Sequence, residues 1–257
     1  MNIVKRCKHG LMIFNQKDVC QGRSFDVYGE YSEEEVRLFT KILKPDNVVI
    51  EAGGNIGSLM VPIARLIPQG ILMTFEPERT AFNALAGNVA INNLRNVWPF
   101  QQALGKTPGQ INIPELDIDK TDNFGGLELD KDYSQCPHYP VMLNSIDNLG
   151  LLKCDLIKID VEGMELSVLE GALQTIEKLK PMLIVEDDRK QKSTDLRNFI
   201  KSKGYTIYQH KAPFFNSNNY FGVKDNCFGD VISLNLFCYQ NNINFDPVAE
   251  FGMSPVM

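Results

Sequence analysis

The run Val48-Val49-Ile50-Glu51-Ala52-Gly53-Gly54-Asn55-Ile56-Gly57 constrains this chain more than any other segment. A β-branched block that breaks into glycines and resumes with apolar residues at helical spacing spells strand, tight turn and helix. Glycine adopts torsions closed to other residues and lets a ligand approach the main chain. Units of this kind build open parallel sheets, whose ligands sit beyond the carboxyl ends of the strands where strand order reverses. Two phosphate cradles are excluded. The dinucleotide form G-x-G-x-x-G fails at Asn55 and Ser58, and no lysine follows as in the P-loop. The pattern is E-x-G-x-N-x-G, and an acid just before the turn repels a pyrophosphate but suits a cationic group. A second strand ends in Phe75-Glu76-Pro77, placing Glu76 where a carboxylate can accept hydrogen bonds from both hydroxyls of a ribose.

Around that unit the apolar pattern alternates between strands and helices. The expected strands are 47–51, 71–75, 97–103, 155–160, 182–186, 205–209 and 230–239. The expected helices are 33–43, 56–67, 80–93, 164–179 and 194–203. Residues 11–14 and 24–28 read as a small N-terminal hairpin. The right-handed crossover rule makes the β-α units a parallel sheet, and the last two strands close it as an antiparallel edge hairpin. The fold class expected is α/β: a Rossmann-like, seven-stranded, mostly parallel sheet with helices on both faces. Without repeats or linkers, residues 1–257 read as one domain, with 1–32 as an N-terminal extension. Residues 105–140 carry Pro108, Pro114, Pro137 and Gly125-Gly126, and are too long for a plain loop. They read as an insertion with its own short hairpin, lying over the site as a lid.

Composition bears mainly on partners. A formal net charge of -6 and a pI near 5.2 leave no electrostatic footprint for a polyanion, so no nucleic-acid partner is expected. No stretch is long and apolar enough to span a bilayer, and the N-terminal residues lack the core of a secretion signal. The cysteines at 7, 20, 136, 154, 227 and 238 form no CxxC pair and read as reduced packing residues, which points to the cytoplasm.

These motifs resemble the FkbM family of S-adenosylmethionine-dependent O-methyltransferases. The resemblance rests on residues 50–57, on Phe75-Glu76-Pro77, on Asn88-Val89-Ala90-Ile91-Asn92-Asn93 and on Ala103-Leu104-Gly105. Its most specific part is Lys158-Ile159-Asp160-Val161-Glu162-Gly163, followed by Leu169-Glu170-Gly171-Ala172. It runs over residues 10–190. Where the family more often has Asp and then Gly-Ala, this chain has Glu51-Ala52-Gly53-Gly54; the carboxylate is kept and the turn slightly loosened. The resemblance implies S-adenosylmethionine as cofactor, held by Glu51, Gly53, Gly54, Asn55, Ile56, Gly57, Glu76, Pro77, Gln102, Ala103 and Asp160.

Methyl transfer to a hydroxyl needs a positioned nucleophile and a base or metal that removes its proton. Asp160 and Glu162 are the expected catalytic carboxylates, although Asp160 also suits a strand-end turn and Glu162 a helix N-terminus. Lys158 lies beside Asp160 in the buried alternation and could point at a carboxylate of the opposite layer. Glu186-Asp187-Asp188 ends the next strand; with Asp160, Glu186 and Asp187 could bind Mg²⁺, or the acids could form a solvated loop. His138 and His210 are alternative bases, or structural histidines. For the acceptor, Tyr31, Asn123, Phe124, Glu186 and Asn219 offer aromatic walls and hydrogen bonds. The expected acceptor is a small polyhydroxylated molecule, a sugar of a glycan or glycolipid. N-methylation is the alternative chemistry, but the Asn/Asp-Pro-Pro-Tyr signature of base-directed enzymes is absent where Asp160-Val161-Glu162-Gly163 stands. A cofactor-binding but inactive partner subunit is the alternative outside enzymes.

Overall fold

A computed structural model describes every residue except 118, 128–132, 134, 242 and 257. The chain opens with β1 (Asn2–Cys7), β2 (Gly10–Asn15), α1 (Gln21–Tyr28) and α2 (Glu33–Ile42). Next come β3 (Val48–Ala52), α3 (Met60–Leu66), β4 (Ile71–Phe75), α4 (Arg79–Ile91) and β5 (Val97–Phe100). A second group follows with β6 (Ala103–Leu104), β7 (Gly109–Pro114) and β8 (His138–Asn144). The rest comprises β9 (Leu156–Ile159), α5 (Glu165–Glu170), α6 (Leu173–Leu179), β10 (Met182–Glu186), α7 (Lys190–Ser202), β11 (Thr206–Pro213), β12 (Ile232–Tyr239), α8 (Pro247–Phe251) and β13 (Ser254–Pro255).

Eight strands form the main sheet in the order β13-β11-β12-β10-β9-β3-β4-β5. The five from β10 to β5 are parallel, while β12, β11 and β13 join antiparallel. The sheet has one strand more than the seven expected, because β13 adds a two-residue edge through Tyr208 and Gln209. The chain runs outward from β3 to β4 and β5, then returns to β9 and β10 on the other side, so strand order reverses between β3 and β9.

Alternate residues of each strand feed opposite cores, the signature of a sheet covered on both faces. Val49, Leu72, Leu156 and Ile184 pack with Phe39, Ile63 and Leu85 from α2, α3 and α4. Ile50, Ile157, Leu183 and Val185 pack with Val168, Ile176 and Ile200 from α5, α6 and α7.

Several boundaries depart from the sequence expectation for local reasons. The N-terminal hairpin pairs β1 with β2, and residues 24–28 lie in a helix instead of a strand. Phe25 and Tyr28 stand three apart, a helical spacing, and Asp18 starts the turn by accepting from Cys20 and Gly22 amides. The helix expected over 56–67 begins regularly only at Met60, after a turn at Gly54–Gly57. The helix expected over 164–179 breaks between α5 and α6. A Cβ on Gly171 would lie 2.0 Å from the Gly105 carbonyl oxygen, so close approach, not helix continuity, sets that position. The strand expected over 97–103 divides: β5 stays in the main sheet, while β6 joins β7 and β8 in a three-stranded sheet. In place of a short hairpin within 105–140, β7 pairs antiparallel with β8 across the long 115–137 connection, and β8 runs on past the segment to Asn144.

Candidate active site

The cavity lies at the reversal between β3 and β9 and has a volume of about 270 Å³. Its floor is the glycine turn. Gly53 and Gly54 amides both donate to the Phe75 carbonyl, at 2.9 and 3.0 Å, which folds the chain sharply over the end of β4. Gly53 has φ +84°, and a Cβ there would lie 1.7 Å from the Asp160 carbonyl oxygen. The turn therefore requires glycine by torsion and by contact. Asn55 continues it in the left-handed region at φ 47°, and its amide donates to Glu76 Oε2 at 2.8 Å. Its own Oδ1 is closed to solvent and has no hydrogen-bond partner among the described residues, so it is available to a ligand.

Glu76 ends β4 on the wall of the cavity, with Pro77 and Glu78 beside it. The Glu78 amide donates to Glu76 Oε1 at 2.8 Å, while the Glu78 carboxylate caps α4 by accepting from the Ala81 amide. Burial pushes the Glu76 carboxyl up to about 7, against the two amide hydrogen bonds that favour its ionised form.

Across the floor, Asp160 ends β9, its amide donating to the Ala52 carbonyl at 3.0 Å. Its Oδ2 accepts from Lys158 Nζ at 3.1 Å; Asp160 is 37% exposed and Lys158 only 3%. Burial alone would lower the Lys158 ammonium, but Asp160, Glu51 and Glu35 together hold it above its ordinary value. Glu162 stands in the left-handed region at φ 50°, an uncommon torsion for a glutamate, which turns its carboxylate to Arg189 Nη2 at 2.5 Å. Burial raises Glu162 to about 7, with Arg189 opposing. Glu186, at the end of β10, is raised well above the usual range by burial and then by Asp160, Glu162 and Asp188.

Two further segments close the cavity. Asn123, Phe124, Gly125 and Leu127 of the long excursion form one side. The excursion is tied to the N-terminal segment, since Val19 donates to the Asp122 carbonyl and Asp122 to the Lys17 carbonyl. On the other side Tyr31 meets Phe214 edge-on at 5.4 Å, next to Val231 and Ile232. Six carboxylates line the cavity (Glu76, Glu78, Asp160, Glu162, Glu186 and Asp188), and among its described residues there is no Lys, Arg or His.

The family profile for the methyltransferase FkbM domain matches residues 51–207, from the glycine turn through β10 to the start of β11. The chain belongs to the FkbM methyltransferase family. It is 26% identical over 182 residues to Methyltransferase 1 of Beauveria bassiana (strain ARSEF 2860), covering 63% of this chain and 73% of that protein. Methyltransferase sdnD of Sordaria araneosa is 25% identical over 198 residues, covering 64% of this chain and 75% of that one. In fold it is similar to the crystal structure of methyltransferase FkbM from Methylobacillus flagellatus KT, with a TM-score of 0.55 and 18% identity. That match covers 83% of this chain and 49% of the other, so this FkbM chain spans about half of that protein.

Not every residue singled out in the sequence reaches the cavity. Glu51 is 1% exposed behind the glycine turn, where Thr74 Oγ1 donates to it at 2.7 Å and Lys158 faces it from β9. Gly54, Ile56 and Gly57 shape the turn from behind, and Ile56 faces a smaller neighbouring hollow with Phe124. Gln102 and Ala103 stand outside the cavity wall, because the chain leaves the main sheet after Phe100. Ala103 packs instead in the small sheet. Asn219 ties its own loop, donating to the Asn216 and Val223 carbonyls and accepting from the Val223 amide. Asp187 is turned away by strand alternation and holds Arg197. The expected grouping of Asp160, Glu186 and Asp187 is therefore corrected: carboxylate oxygens of Glu162, Glu186 and Asp188 are the ones that lie within 4.8 Å of one another. His210 is fully buried in β11, where burial holds it down to about 4, and His138 Nδ1 donates to the Cys136 carbonyl; neither lines the cavity.

Cavity residues that the sequence reading passed over include Cys20, Gln21, Glu78, Ala81, Leu127 and Leu234. Glu78 carried a signal, an acid immediately before a helix three residues ahead of Ala81. The others come from segments with no motif, brought in by the tertiary fold. Among the described residues, no helix is long and apolar enough to cross a membrane.

Proposed function

We propose that the chain transfers a methyl group from S-adenosylmethionine to a hydroxyl oxygen of a small polyhydroxylated acceptor, such as a sugar of a glycan or glycolipid. When bound, that cofactor supplies an electrophilic methyl on a sulfonium. The residues present fit it. A glycine turn with no space for a Cβ, an unpartnered Asn55 Oδ1 and the Glu76 carboxylate suit a nucleoside, and a wall of carboxylates without a described Lys, Arg or His leaves its cationic end unopposed. In this reading Gly53, Asn55, Glu76 and Pro77 hold the cofactor, while Glu51 acts from behind the turn. The same wall disfavours phosphate-rich acceptors, including nucleic acid.

The observation that carries the oxygen acceptor is Asp160, a carboxylate half open to the cavity whose Oδ2 is fixed by Lys158. A sugar hydroxyl is a weak nucleophile, and Asp160 is placed to accept its proton as the oxygen attacks. Tyr31, Phe124 and Phe214 supply the apolar faces that a sugar ring stacks on, and Asn123 supplies a hydrogen-bonding amide. The excursion carrying Asn123 and Phe124 serves as the cover. Labelled methyl transfer over a panel of sugars, with linkage analysis of the product, tests this reading. A methyl ether on a ring oxygen is expected, and a methyl on nitrogen or carbon would overturn it.

A further inference from the structure

We infer that the acceptor carries a protonated amine, and that this ammonium seats among Glu162, Glu186 and Asp188 at the far end of the cavity from Glu76. The inference rests on the hydroxyl-methylating reading and adds the charge of the substrate to it. Glu186 Oε2 is closed to solvent and has no hydrogen-bond partner among the described residues, although Glu186 borders the cavity. A buried carboxyl oxygen without a partner is costly, and the missing partner has to come from what fills the space; an ammonium there supplies it and favours the ionised acid.

The described neighbours do not supply it. Arg189 is engaged with Glu162 Oε2 at 2.5 Å and stands 3.8 Å from Asp188. Lys158 is bound to Asp160. Glu76 and Glu78 belong to the cofactor end, where backbone amides satisfy both. The three remaining acids bring one oxygen each within 4.8 Å of the others, the span of a single small cation.

The rest of the lining selects an organic cation over a metal ion. Tyr31 and Phe214 meet there edge-on, and Val231 and Ile232 extend the apolar surface. Aromatic and apolar faces suit the carbon frame of an aminosugar or aminocyclitol with its ammonium directed at the acids. A divalent ion calls for oxygens on all sides.

The test is a matched pair of polyhydroxylated rings, 2-deoxystreptamine with amines and myo-inositol without, titrated into the protein with S-adenosylhomocysteine present. The aminocyclitol should bind roughly tenfold tighter or more, and Glu186→Gln should remove that preference. Asp188→Asn, at an exposed position, gives a second variant that should weaken it. Unchanged S-adenosylhomocysteine affinity in each variant confirms folding and reports on the cofactor end separately. Equal binding of the two rings, with methyl ethers formed on either, would overturn the amine inference and leave the hydroxyl reading standing. A methyl placed on nitrogen, or neither ring bound or methylated, would overturn both. Mg²⁺ bound at these acids and not displaced by 2-deoxystreptamine would also overturn the inference.

Discussion

Lys158 Nζ lies 3.1 Å from Asp160 Oδ2, so a cation buried inside the sheet fixes a carboxylate that opens onto the cavity. Two residues apart on one strand, the pair shares a face, and Glu51 stands opposite Lys158 in the β3–β9 register. Glu35 of α2, held by Ser32 Oγ at 2.7 Å, completes the surroundings of the ammonium.

Asp160→Asn removes the proposed base and keeps the shape. Turnover should fall by about 10²–10⁴, the usual contribution of a positioned general base, with S-adenosylhomocysteine affinity close to wild type. Single-turnover kinetics and calorimetry on one preparation check both halves. A variant with full turnover would move the base elsewhere.

Lys158→Met leaves buried acids without their cation and should cost about 3 kcal/mol or more of stability, seen as a lower melting temperature. An unchanged melting temperature would show that the ammonium does not hold Glu35 and Glu51.

Gly53→Ala and Gly150→Ala separate collision from torsion. Both have positive φ, but a Cβ on Gly150 meets nothing within 4 Å, while one on Gly53 meets the Asp160 carbonyl oxygen at 1.7 Å. Gly150→Ala should cost about 1 kcal/mol, and Gly53→Ala about 3 kcal/mol or more with loss of cofactor binding. Equal costs would contradict the close approach of β3 to β9.

Glu76 gives the stability a pH dependence of definite sign. Its folded value, about 7, lies above the ordinary 4.5, so its contribution is full below 4.5 and is lost as pH rises through 7. Glu162 acts in the same sense, and His210, held down to about 4, acts oppositely between 4 and 6.5. Melting temperatures of wild type and Glu76→Gln between pH 6.5 and 7.5 isolate the effect. Wild type should fall more steeply, and parallel curves would contradict it.

Asn88 docks the N-terminal hairpin. Its Oδ1 accepts from the Ile13 amide at 2.7 Å, and its Nδ2 donates to the Ile13 and Ile56 carbonyls. Asn88→Ala strands three backbone groups, one buried and two half-buried, and should cost about 2 kcal/mol. A loss below 1 kcal/mol in denaturant titration would mean the hairpin is held by packing alone.

The sequence made the sheet legible because its signals are local. The strand, glycine turn and helix around Gly53, and the acids ending β4 and β9, follow from patterns a few residues long. Asn88 and Asn92 were visible as a motif, but their role depends on β2, more than seventy residues away, which nothing local announces. Asp187 and Asp188 show the limit at the cavity itself. Their exchange of roles depends on which side of β10 each leaves, and a run of three acids carries no phase. Gln102 and Ala103 were misplaced because Pro99 and the departure of β6 into a second sheet break a strand that reads as continuous. The short β1 was missed because its exposed alternate residues imitate a polar terminus.

The most direct test of the central claim is a calorimetric titration of the purified chain with S-adenosylhomocysteine and, separately, with NAD. One saturable site for S-adenosylhomocysteine is expected, weakened about ten- to hundredfold by Glu76→Ala, with no heat from NAD. Saturable NAD binding, or S-adenosylhomocysteine binding indifferent to Glu76, would contradict it.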